Sequence, residues 1–282
     1  MTFISSSRLY QVFKYAVYAV LTLNIFLFYG KESAAAPLQY PDGINLGNIR
    51  EAFSATIDTV AWVILLLMFE LETYVLDDDQ FTPGVTISLR ALRAIGYALI
   101  LMAFFGYIDD MLFVRDTVPL VGITDLCQLP VGEWSWPYTF GEYMDITAAN
   151  CATLSEASSF LQYRDLRVVV DAAGDTEIVR LAWADVINAA AWILVVVILE
   201  IDVWLQERHR YEGAVLYASN AFKFVLYSTL LLVAIYWTFK GDLLDVWDAY
   251  MWLVAFVFIE MNVFEWHAED KAAMAAAESL RE

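Results

Sequence analysis

Apolar positions dominate six stretches of the chain, at roughly 12–30, 54–76, 92–114, 183–206, 215–239 and 247–267. Crossing the hydrocarbon of a bilayer takes about 20 predominantly apolar residues in a helix, and each stretch meets that length. The pattern therefore predicts six transmembrane helices. The few polar positions inside these stretches recur at fixed spacing. The second, fourth and sixth carry a polar residue, a Trp four later, a carboxylate eight beyond, and another polar residue two after that. The three copies read Asp58, Trp62, Glu70, Glu72; then Asn188, Trp192, Glu200, Asp202; then Asp248, Trp252, Glu260, Asn262.

The first, third and fifth stretches share a different signature, a basic residue followed by Tyr four later: Lys14 and Tyr18, Arg93 and Tyr97, Lys223 and Tyr227. Positions four apart occupy one helical face. A recurring unit at regular intervals marks a repeat architecture, and parallel repeats are related by an axis along the membrane normal. The expected fold is an all-α polytopic membrane protein of three repeated helical hairpins with pseudo-threefold symmetry.

The polar stretches complete the organisation. The N-terminus resembles a signal peptide, with Arg8, Lys14, an apolar core and Ala34–Ala36. Lys31, Glu32 and Pro37 disturb the cleavage region, so this segment is expected to stay as the first helix. Residues 31–52, with Pro37, Pro41, Gly43 and Gly47, read as a turn-rich connection. Residues 115–182 are the one sizeable polar region, a small cap. Within it, 166–180 reads as a β-hairpin turning at Ala172–Asp175. The chain then divides into 1–114 (first hairpin and first helix of the second), the cap 115–182, 183–267 (the remaining three helices) and an Ala- and Glu-rich tail, 268–282.

Composition and charge narrow the classes. Of 282 residues, 60% are hydrophobic, which belongs to membrane helices rather than to one water-excluding core. The net charge of −19 argues against nucleic acid, whose readers carry basic stripes, and against a polybasic grip on anionic lipid. Basic residues near helix ends collect on one side, with Arg8, Lys14, Arg90, Arg93, Arg208, Arg210 and Lys223, which places both termini in the cytoplasm and the cap outside. The expected location is the inner or plasma membrane. An oxidising exterior favours a disulfide between Cys127 and Cys151, both in the cap.

The candidate chemistry lies in the intramembrane acids, since ionisable residues within spans mark ion pathways or internal pairs. Helical rise of ~1.5 Å per residue puts Glu70 about 10 Å from its helix end and Lys14 a similar distance in, so acid and base share a depth. The expected layer comprises Glu70, Glu200 and Glu260 with Glu72, Asp202 and Asn262, countered by Lys14, Arg93 and Lys223. Residues two apart point about 200° apart, so one member of each pair meets the base while the other turns elsewhere, the shared axis included. Two readings follow. One is a cation or proton channel or transporter using this carboxylate layer. The other is a non-catalytic structural or accessory subunit whose buried pairs only lock helix packing. No GxSxG, HExxH, Walker or GxGxxG motif is present, so an enzyme is not expected, nor a cofactor. His209 and His267 read as helix-end residues, and a divalent metal at the carboxylates is left open. Partners are the bilayer and, at the cap, another protein or a second copy.

Overall fold

A computed structural model describes residues 2–76, 80–157, 159–208, 213–241 and 243–257. Among the described residues, five helices are long and apolar enough to cross a membrane. They are α1 (Thr2–Gln39), α3 (Ser54–Glu70), α4 (Pro83–Val114), α6 (Ala172–Glu207) and α7 (Ala214–Lys240). One short turn, α2 (Ile49–Ala52), precedes α3, another, α5 (Cys151–Leu154), lies in the cap, and a helix over 243–257, α8, closes the described chain. Phe13, Phe26, Ile95, Phe105, Phe222, Phe224, Leu232 and Phe239 all stand exposed on the bundle. An apolar outer face of that extent belongs in lipid rather than water. The fold is that of an α-helical membrane protein. Glu260, Asn262, His209, His267 and the tail lie outside the described residues.

Local chemistry sets the helix ends. Thr82 caps α4 by accepting from the Val85 N–H at 3.4 Å, and Pro83 occupies the first turn, where no N–H is needed. The α3 N-terminus is capped from another helix: Glu32 of α1 accepts from the backbone of Ala55 at 2.7 Å and of Thr56 at 3.2 Å. A carboxylate at that end also meets the positive pole of the helix. A widened π turn, Leu71–Val75, follows α3, closed by Leu76 N–H to the Leu71 carbonyl at 3.0 Å.

Two expectations are corrected. The α1 helix continues to Gln39 through Pro37 instead of yielding to a turn after residue 30. Pro37 has no N–H to give the Ser33 carbonyl, and the helix closes past it through Tyr40 N–H to the Ala36 carbonyl at 2.8 Å. The hairpin expected at 166–180 is not formed. Its first half is β5 (Val169–Asp171), which pairs backwards with β4 (Phe160–Tyr163), Phe160 opposite Asp171. Its second half opens α6, because the Asp171 carboxylate accepts from the Gly174 N–H at 2.6 Å and starts a helix at Ala172. The irregular part of the cap therefore ends at Asp171.

The cap holds more strand than the pattern showed. β1 (Thr117–Pro119) pairs with β4, making the sheet β1-β4-β5, and β2 (Ser135–Thr139) pairs with β3 (Glu142–Asp145). The two sheets touch at Ser135 and Val168. A disulfide joins Cys127 to Cys151. Leu126, Ile146, Cys151, Phe160 and Val169 form the cap's small core. The cap is seated on the bundle through Val168 and Val170, which pack with Met111 and Val114 of α4 and Ile178 and Ala182 of α6.

Candidate functional site

The second signature residue of each copy converges. Trp62 of α3 lies 5.8 Å from Trp192 of α6 and 6.2 Å from Trp252 of α8, ring centre to ring centre. Phe256, four residues after Trp252, adds a ring 4.4 Å from Trp192. The rings are tilted by 57° and 63° rather than stacked. This aromatic knot belongs to the main core of the bundle, with Leu21, Ile100 and Leu230 of α1, α4 and α7 buried around it. Those three sit at one register, each seven residues after the basic residue of its helix.

One turn toward the cap, the first signature residues Asp58, Asn188 and Asp248 line a cavity of ≈ 70 Å³. Asp185 and Asp245, one turn further on the same helices, line it as well. Its aromatic wall is Trp62, Trp192 and Trp252 together with Phe28, Tyr107 and Trp237 of α1, α4 and α7. Again the last three share a register, fourteen residues after Lys14, Arg93 and Lys223.

The polar contacts of the two inner acids are with neutral groups. Asp58 accepts from the Trp62 indole at 3.0 Å and the Tyr107 hydroxyl at 3.3 Å. Asp248 accepts from the Asn24 amide at 2.6 Å. Asn24 is wholly buried, and its own amide oxygen has no hydrogen-bond partner. Buried polar groups are ordinarily satisfied, so an orphan acceptor beside the cavity wall is informative.

A second cavity of ≈ 70 Å³ adjoins the first on the cap side, sharing Phe28, Tyr107, Asp185 and Asp245. Glu32, Glu51 and Asp110 add to its walls, and Phe140 and Gly141, at the β2–β3 turn, form its cap-side boundary. Gly141 has φ 75°, a left-handed turn residue that glycine adopts without strain. Across both cavities the carboxylates are Glu32, Glu51, Asp58, Asp110, Asp185, Asp245 and Asp248, against Lys31 as the one basic residue lining them. Lys31 sits 3.3 Å from Asp245. Outside the spans, burial pushes the Glu51 carboxyl up from the ordinary carboxylate range and the Tyr143 hydroxyl up to about 12.

The acids and bases singled out by sequence lie on the opposite side of the aromatic knot, along the helix seams. Lys14 Nζ is 2.6 Å from Glu70 Oε1, both buried, and the Tyr15 hydroxyl donates to the same oxygen at 2.8 Å. Arg93 meets Glu72 at 2.5 Å, and Lys223 meets Asp202 at 2.9 Å, where Ser219 also donates at 2.7 Å. The Tyr97 hydroxyl donates to Glu200 at 2.5 Å. Glu70 and Glu200 thus bind the preceding long helix, α1 and α4, while Glu72 and Asp202 bind the basic residue of the following one, α4 and α7. These four acids line neither cavity; the first cavity is lined instead by the leading residue of each copy, Asp58, Asn188 and Asp248. The sequence signal for these three is their recurrence four residues before each Trp.

Among the described residues no group of three or more His, Cys, Asp or Glu is arranged to hold a metal ion. Comparison with protein-family models, curated proteins and solved structures finds no match.

Proposed function

We propose that this membrane protein conducts or couples the movement of a small monovalent cation, protons included, through the acidic cavities on the cap side of the Trp knot. The observation that carries the proposal is the placement of Asp58 and Asp248. Asp58 lies in a membrane-length helix and Asp248 in the helix over 243–257; both line a cavity large enough for several waters and are held by neutral partners. Carboxylates so placed concentrate cations and serve as proton carriers. In this reading the architecture is three hairpins about a pseudo-threefold axis with six spans. Supporting it, Trp62, Trp192 and Trp252 meet, and Leu21, Ile100 and Leu230 are buried at a common register. The charge bias at helix ends supports cytoplasmic termini and an external cap, so the acidic cavities open toward the outside and the Trp knot is the barrier. Glu70, Glu72, Glu200 and Asp202, with Glu260 and Asn262 in the third copy, then form the seam layer that Lys14, Arg93 and Lys223 hold together.

A second reading is favoured by those same ion pairs: an accessory subunit whose charges only lock its helices. The two are separated by flux in proteoliposomes, comparing wild type with D58N/D248N after both are shown to be folded. Cation or proton flux that disappears in the double variant supports the pathway. A folded wild type that passes neither protons nor monovalent cations favours the accessory subunit.

A further inference from the structure

The cavity above the Trp knot combines two recognition elements that a simple metal ion does not require. Carboxylates supply hydrogen-bond acceptors and charge, and indole faces supply a negative quadrupole that attracts organic cations within about 6 Å. From the walls described above, resting on the transport reading, we infer that the cation taken by this site is a small primary ammonium, of the size of ammonium or methylammonium.

Three observations converge on that class. First, six aromatic side chains line one cavity, the indoles of Trp62, Trp192 and Trp252 among them. Second, the acceptors are dispersed: Asp58 and Asp248 come from different helices, and among the described residues no group of three or more His, Cys, Asp or Glu is arranged to hold a divalent ion. An ammonium uses separated acceptors, because its N–H donors diverge. Third, Asn24 commits its amide nitrogen to Asp248 and keeps a buried oxygen without a donor. A volume of ≈ 70 Å³ restricts the ligand to a few heavy atoms, since a single water needs roughly 10–15 Å³ on this measure.

The test titrates the purified full chain in detergent with methylammonium chloride, and separately with potassium chloride, at constant ionic strength. Trp emission and thermal shift are the readouts. The expected result is a saturable response to methylammonium at concentrations at least tenfold below any response to potassium. D58N/D248N should weaken it by at least tenfold. Because those substitutions sit in the bundle interior, W192F serves as the second variant; it keeps a ring in place with a weaker quadrupole and should weaken binding two- to fivefold. Equal responses to the two salts, no saturable response in folded wild type, or an unchanged midpoint in both variants would overturn the inference. Proton or potassium flux without methylammonium binding removes this ligand and leaves the pathway standing. Methylammonium binding without flux of any cation does the reverse.

Discussion

Lys14 and Glu70 face each other at 2.6 Å with almost no solvent contact, 1% exposure for the lysine side chain and 6% for the glutamate. The lysine also lies over the Tyr74 ring at 3.9 Å, a π face that attracts a cation. Removing one member of a buried pair leaves an uncompensated charge, which costs about 3–5 kcal/mol, whereas replacing both with apolar groups is often close to neutral. K14M should therefore melt far below wild type in detergent, and K14M/E70L should recover most of the loss. A double variant as unstable as the single one would mean that the Tyr15 and Tyr18 contacts to Glu70, not its charge, seat the helix.

The remaining seam pairs should follow burial. Lys223 and Asp202 have side-chain exposures of 18% and 5%, while Arg93 and Glu72 have 41% and 22%. Exposed pairs contribute only ~0–1 kcal/mol. R93M should thus cost no more than about 1 kcal/mol, and K223M should fall between it and K14M. Thermal melts of the three single variants in one detergent give the ranking. An R93M variant less stable than K14M would show that solvent access does not set the strength of these pairs.

Close helix packing depends on a glycine in α4. A Cβ built on Gly106 would lie 2.2 Å from the Arg50 carbonyl oxygen, a backbone atom that cannot step aside, whereas on Gly96 it would meet the end of the Leu65 side chain at 2.8 Å. Small residues let membrane helices approach in this way. G106A should destabilise by about 1–3 kcal/mol or more through overpacking. G96A should cost less, and G30A, with nothing within 4 Å, should be neutral or stabilising by up to about 1 kcal/mol from helix propensity. Melting temperatures in the order G30A, G96A, G106A from high to low are the expected outcome.

How much of this was legible beforehand varies with the physics involved. The apolar runs specify spanning helices because lipid imposes length and composition together. Depth arithmetic put Lys14 and Glu70 at one level, and an acid and a base in an apolar interior have strong reason to meet. The spacing of Trp62, Trp192 and Trp252 was visible, but their mutual contact was not, since helical spacing fixes a face without saying which neighbour it meets. Asp58 and Asp248 stand near the cap ends of their helices, where an acid is ordinarily solvated, and only the assembled bundle encloses them in a cavity. The β5–α6 boundary failed for local reasons. Val168–Val170 and Ile178–Val179 are β-branched alike, but the Asp171–Gly174 capping bond starts a helix between them.

The cap depends on its disulfide. Cys127 and Cys151 close a loop of 24 residues around a core of only a few apolar side chains. A crosslink of this span stabilises by about 2–4 kcal/mol, mainly by restricting the unfolded loop. C127S/C151S should leave the bundle's melting nearly unchanged while making residues 120–157 sensitive to protease. Fragment mapping reads this directly, and cleavage confined to the bundle loops in the variant would show that packing on α4 and α6 alone holds the cap.

Glu51 supplies a pH signature outside the spans. Burial raises its carboxyl above the ordinary value of 4.5, with the Asp109 charge adding to it, while Tyr40 and Arg50 pull the other way. A carboxyl raised in the folded state is one whose protonated form the fold prefers. Its contribution to stability is complete below the unfolded pKa and is lost as pH rises through the folded one. E51Q carries a permanently neutral isostere, so its melting temperature should match wild type near about pH 4 and exceed it near about pH 8, the gap opening between. A gap that stays constant, or closes as pH rises, would mean that Arg50 and Tyr40 hold the carboxylate charged despite its burial. Glu51 also lines the cap-side cavity. If that cavity admits cations as proposed, wild type should regain part of the gap when the monovalent salt is raised, and E51Q, lacking the charge, should not.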